Sequence, residues 1–145
     1  MKCLSLIQPW ASLIVLGAKQ YETRRWHTTY RGRIAIHASR KFPETARHLC
    51  RVEPFRAALK LAGLKHSADL PCGVILGSVE LMNCLPAADV RMTLSEDAPE
   101  LAFADFADDP WAWWLVRPIL LAKPIPLAGR LGLFDIPDLS CYQHS

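Results

Sequence analysis

The chain has 145 residues, 51% hydrophobic and 21% charged, with five Trp, enough apolar content for one self-folding domain and too little length for two full cores. No apolar run approaches the ~20 residues that cross a bilayer, and Met1-Lys2-Cys3-Leu4 opens no secretory signal, so a cytoplasmic domain without membrane contact is expected. The net charge of +3 conceals an asymmetry: residues 1–66 hold 13 Lys/Arg against three acids, and residues 67–145 hold four against 11.

Cys3–Ile7 reads as a short strand ended by Gln8-Pro9. Pro9 suits the first turn of a helix, and Trp10–Leu16 continues at helical spacing until Gly17. Lys19–Trp26 is polar and rich in Tyr, Thr and Trp, which favours a strand, and Thr28–Gly32 is turn-like. Arg33–Ala38 is a clearer strand, with Ile34 and Ile36 on one face and Ala35 and His37 on the other. From Pro43 to Ala62 the spacing is helical, divided at Glu53-Pro54 and closed by Gly63. Residues 42–70 are read as a helical insertion within a single domain spanning 1–145.

Val74–Leu81 is the clearest strand of the chain. Residues 95–110 are acidic and carry two prolines, which predicts a long surface loop. Trp111–Val116 forms an aromatic strand ending at Arg117-Pro118. Pro124-Ile125-Pro126 argues against central-strand pairing there, and Leu131–Phe134 is a last short strand. Five or six short strands with a helical excursion predict an α+β fold, a small closed β-barrel decorated by helices. The five cysteines (Cys3, Cys50, Cys72, Cys84, Cys141) show no CxxC pair and no zinc spacing. They are read as buried or half-buried thiols, and neither metal nor cofactor is expected.

A basic N-terminal half points to a polyanionic partner, nucleic acid first; the alternative is that the two halves neutralise each other across the fold. The motifs sharpen this. Leu6-Ile7-Gln8-Pro9-Trp10-Ala11, followed by Gly17-Ala18-Lys19-Gln20-Tyr21-Glu22-Thr23-Arg24, resembles the ASCH (activating-signal-cointegrator homology) family pattern of QPW and then G-x-K-x-x-E-x-R. The likeness continues through Trp26, Tyr30-Arg31-Gly32-Arg33, His37-Ala38-Ser39 and Gly132-Leu133-Phe134. It is similar to the branch that includes the C-terminal domain of a eukaryotic transcriptional coactivator. The resemblance implies a PUA-like β-barrel related to RNA- or modified-base-binding modules, with a cleft lined by the motif Lys and Glu. Some small family members are enzymes, one type a ribonuclease and another an N4-acetylcytidine deacetylase. Those deacetylases carry Thr where Glu22 stands.

Lys19, after the helix-ending Gly17, reads as a phosphate anchor, a nucleophile or proton carrier, or an exposed loop lysine. Glu22 is costly beside phosphate unless it has its own task. It accepts hydrogen bonds from a cytosine or adenine amino group, acts as a general base, or pairs with Arg24 or Arg25. Strand alternation puts Glu22, Arg24 and Trp26 on one face, so Lys19 meets Glu22 only from a turn. Arg24, Arg31, Arg33, Arg40 and Lys41 are expected at a phosphate-contacting rim. Gln8 belongs to the candidate surface through the QPW motif.

His37 is a ligand contact or a half-buried packing residue. Ser39 donates to a ligand or caps the next helix. Trp10 and Trp26 stack on a base or join the core, and Trp111, Trp113 and Trp114 are read as structural. Arg47, Arg51, Lys60 and Lys65 extend a nucleic-acid track or form a wet helix face. The leading expectation is a module that holds RNA, DNA or a nucleobase-containing ligand in a basic cleft and reads a base with Glu22. The alternative is a small hydrolase on RNA or an acylated nucleoside, using Lys19 and Glu22 catalytically.

Overall fold

A computed structural model of the chain describes residues 1–142. Its strands are β1 (Lys2–Leu6), β2 (Tyr21–Arg24), β3 (Gly32–Ala38), β4 (Val74–Pro86), β5 (Trp111–Pro126) and β6 (Leu133–Asp135). Its α-helices are α1 (Trp10–Val15), α2 (Glu44–Leu49), α3 (Phe55–Lys60), α4 (Ala87–Thr93) and α5 (Glu100–Phe103). The strands form one six-stranded sheet in the order β2-β5-β4-β3-β1-β6. β1 runs parallel to β3, and the other pairings are antiparallel. The expected α+β, PUA-like architecture is present, with one refinement. The sheet curls into a half-barrel, and β2 and β6 end it without pairing to each other.

The curl fixes what lies inside. Ile34 and Ile36 of β3 join Leu4, Leu6, Leu81, Trp113 and Leu115 in the main core, while Ala35 faces Cys3 and Ile75 in a second cluster on the opposite face. The short helix α1 is apolar nearly all round because it is buried nearly all round. Ile14 and Val15 face the sheet, and Leu13 faces a third cluster with Phe55, Leu59 and Phe103. Pro9 offers α1 no side-chain cap, so Gln8 supplies one. Its Oε1 accepts the Ser12 N–H at 2.9 Å, and its Nε2 donates to the Pro71 carbonyl at 2.8 Å. Gly17 ends the helix at φ +81°, as expected of that position.

Several expected boundaries move. β2 begins only at Tyr21, leaving Lys19 in the turn. β4 continues to Pro86 and leads directly into α4, a helix the chain-order reading missed. β5 runs unbroken to Pro126, past the expected stop at Arg117-Pro118. Arg117 turns the strand with φ 51°, and beyond Leu115 β5 pairs with β4 alone, so its three prolines sit along a sheet edge. The acidic segment is not a surface loop throughout. It contains α5, and Phe103 and Phe106 are buried. Cys3, Cys50 and Cys84 are small core residues, Cys72 is half-buried and Cys141 is exposed, and burial pushes the Cys3 thiol up to about 12.

Candidate functional site

Two adjoining clefts carry most of the candidate residues. The first, about 710 Å³, is lined by Ser5–Ile7 at the end of β1, Trp10 of α1, Glu22–Trp26 along and just after β2, and residues 102–105 and 109 at and after the end of α5. The second, about 480 Å³, lies between the end of β3 and the segment 127–132. Ser5, Ile7 and Arg24 line both, so the two form a continuous surface.

Glu22 and Arg24 of β2 and Trp26 just beyond it reach the first cleft, but Thr23 and Arg25 line it too, so the expected alternation alone does not select them. Lys19 meets Glu22 from the turn, with its Nζ 3.4 Å from Glu22 Oε1. Yet Lys19 is no rim residue. It is only 1% exposed and lines neither cleft. Its ammonium donates to the main-chain carbonyl of Tyr21 and, at 2.9 Å, to that of Phe103. Burial pushes its pKa down, opposed by the carboxylates of Glu22 and Glu100.

Glu22 itself stays open to the cleft, its side chain 12% exposed. Arg24 Nε lies 3.1 Å from Glu22 Oε2. The contact is ionic but off the line of the N–H, which remains buried without a hydrogen-bond acceptor. Glu22 is thus held between a sealed cation behind it and a cleft-lining cation beside it. Glu100, at the start of α5, completes the buried charge cluster. It accepts the Gln20 N–H, its second oxygen has no partner, and burial raises its pKa against the pull of that N–H and of Lys19.

The aromatic candidates divide. Trp26 is 39% exposed at the mouth of the first cleft, its ring edge-on to Trp113 at 4.7 Å. Trp10 lines the same cleft while packing edge-on against Phe55 at 6.1 Å. Trp113 is fully buried and Trp111 packs beside it, which fulfils the structural reading of both. The first cleft is not the basic hollow expected from the charge of the N-terminal half. Glu22 shares it with Asp105 and Asp109, against Arg24 and Arg25. Both aspartates lie in the acidic 95–110 segment, whose local composition gives no sign of a cleft. Thr23 pins that segment by accepting the Asp105 N–H at 2.9 Å.

The second cleft has the opposite character. Arg24, Arg40, Lys41 and Arg130 line it, with no carboxylate among the lining residues. Arg40 and Lys41 form no ion pair among the described residues. His37 and Ser39 also line it, and the Ser39 Oγ accepts the Lys41 N–H at 3.2 Å. His37 is 1% exposed, bonded to Ser5 and to the Leu127 carbonyl, so it is both packed and part of the wall.

Besides Lys19, three candidates lie outside both clefts. Gln8 is wholly buried as the cap of α1. Arg31 is spent on the carbonyls of Thr28 and Tyr30 and on Asn83. Arg33 pairs with Glu80 at 3.3 Å and donates to Ser78 and the Arg117 carbonyl. Arg47, Arg51, Lys60 and Lys65 line neither cleft; Arg47 stacks on Phe42 and Arg51 pairs with Glu44. Pairs such as Arg33–Glu80 and Lys2–Asp135 do neutralise one half with the other, but they leave the second cleft cationic.

Comparison with known proteins identifies the family and the fold. The family model of the ASCH domain matches residues 4–125. The chain belongs to the ASCH family. This ASCH domain is 32% identical over 134 residues to activating signal cointegrator 1 of Homo sapiens and 40% identical over the same length to that of Mus musculus. Each alignment covers 92% of the chain but 22% of the relative, so the chain spans about a fifth of those proteins. Among solved structures, ASCH from Zymomonas mobilis superposes with a TM-score of 0.57 at 17% identity, over 97% of this chain and 90% of that one. A mutant form of the same protein gives 0.56 at 18% identity, over 94% and 88%. At that identity the likeness concerns the fold. The ASCH family is associated with nucleic-acid binding.

Proposed function

We propose that this ASCH domain binds a nucleic-acid strand across the two clefts, with a base in the first and backbone phosphate toward the second. The observation that carries the reading is Glu22, a carboxylate acceptor open to a cleft with cations on two sides. A carboxylate accepts from the exocyclic amino group of cytosine or adenine and disfavours a base edge that presents only acceptors. Trp26 offers an exposed aromatic ring at the mouth, where stacking on a base is worth about 1–3 kcal/mol. Lys19 touches no ligand in this arrangement. It serves as the positioning cation that holds the Glu22 carboxylate in direction, 3.4 Å away.

Arg24, Arg40 and Lys41 supply phosphate contacts, and Arg presents two donors to a single phosphate. Anisotropy titrations of labelled single- and double-stranded RNA and DNA across a salt series test the reading. Binding that weakens as salt rises is expected, with Glu22→Gln changing the order of base preference more than the salt slope. Affinity indifferent to salt, or weaker than about 100 μM in every low-salt titration, overturns it.

A further inference from the structure

The back wall of the second cleft holds two polar side chains joined to each other. Ser5 and His37 face one another in the parallel register of β1 and β3, with Ser5 Oγ 2.8 Å from His37 Nδ1. On the far side of the ring, His37 Nε2 lies 2.6 Å from the Leu127 carbonyl oxygen. A carbonyl only accepts, so Nε2 carries a hydrogen whether the ring is neutral or charged. In the neutral ring Nδ1 must therefore accept, and it takes the Ser5 hydroxyl hydrogen. Ser5 then shows the cleft only lone pairs, which repel a phosphate oxygen. In the imidazolium, Nδ1 becomes a donor to Ser5 Oγ, and the hydroxyl hydrogen is freed to point into the cleft.

One further feature fixes this pair in place. A β-carbon on Gly129 would lie 2.7 Å from Ser5 Oγ and 2.9 Å from His37 Cε1, so the backbone of the 127–132 segment packs directly on the pair. The charged groups lining the same cleft are Arg24 from β2, Arg40 and Lys41 after β3, and Arg130 from that segment, all of them cations.

We propose that the second cleft is a phosphate subsite whose polar floor is the Ser5–His37 pair, and that a bound phosphate and a proton on His37 favour one another. The inference rests on the nucleic-acid reading and assigns its phosphate end to named donors. Reciprocity follows from linkage: if protonation strengthens phosphate binding, phosphate strengthens protonation by the same factor.

Two measurements test the subsite. A labelled single-stranded oligonucleotide titrated at constant ionic strength should bind roughly tenfold more tightly near pH 5.5 than near pH 8. His37→Gln should abolish that increment and Ser5→Ala should reduce it, while His48→Gln, on the exposed face of α2, should retain it. Thermal melts establish that each variant is folded, and Ser5→Ala carries the test if His37→Gln is not. Separately, the His37 imidazole resonances are followed by NMR with and without sulfate, which does not titrate in this range.

Sulfate should raise the His37 midpoint. A midpoint indifferent to sulfate, or a pH dependence shared unchanged by His37→Gln, overturns the subsite. A raised midpoint in a protein that binds no oligonucleotide overturns the nucleic-acid reading and leaves the subsite standing.

Discussion

At the scale of single residues, the buried Lys19 ties three segments together. Lys19→Met leaves Glu22 and the carbonyls of Tyr21 and Phe103 without their common donor. Removing one partner of such a buried set costs about 3 kcal/mol or more, readable as a lowered urea midpoint at unchanged slope. Glu100 is expected to make stability depend on pH. Its raised pKa means the folded chain keeps that proton to higher pH than the unfolded chain. Its contribution is complete below the ordinary carboxyl range and is lost as pH climbs through the folded-state value. Lys19 acts with the other sign: its lowered pKa makes the ammonium a cost to folding that is relieved as pH rises past the folded-state value. Urea titrations between about pH 4 and about pH 7 should show a decline in stability that Glu100→Gln flattens; parallel curves would refute this assignment. The motif residues Lys19, Glu22 and Trp26 were legible in the sequence as a group. The sealing of Lys19 was not, because its covering carbonyl comes from Phe103, 84 residues away. Nor were Ser5 and Arg130, which matter only through neighbours that folding brings to them.

At the scale of elements, periodicity carried the reading wherever a segment packs against one surface. The alternation of Ile34, Ile36 against Ala35, His37 is the alternation observed in β3, and the spacing of α2 and α3 placed both helices and their break. It failed for β5, where prolines suggested an interruption and the strand instead accommodates them along an unpaired edge. It failed again for the acidic segment, where local composition outweighed Phe103 and Phe106, the two residues that anchor it. The long β4–β5 pairing has one point of closest approach. A β-carbon on Gly77 would stand 2.1 Å from the Ile119 carbonyl oxygen, a backbone atom that cannot rotate away. Gly77→Ala should therefore destabilise the chain by about 3 kcal/mol or more, measured by thermal or urea unfolding; a loss under about 0.5 kcal/mol would show that the two strands part freely.

At the scale of the whole molecule, the charge asymmetry of the sequence does not become one basic face. Ion pairs between the halves consume part of it, the first cleft mixes signs, and the uncompensated cations gather in the second. Removing Arg40 and Lys41 together should reduce the salt slope of single-strand binding by about 1.4, near 0.7 for each phosphate that the protein ceases to neutralise, with little change in base preference. An unchanged slope would place the strand elsewhere. The order of the sheet also bears on how the chain is made. β1 lies between β3 and β6, so one side of it meets its partner only when Leu133–Asp135 arrives, and the Met1 amine donates to Ile136 at 2.7 Å. During synthesis the first strand of this sheet waits with a bare hydrogen-bonding edge until the last one, β6, emerges. A product released before Leu133 keeps that edge, and such truncated chains should self-associate through it more than chains that carry β6, as size-exclusion chromatography would read.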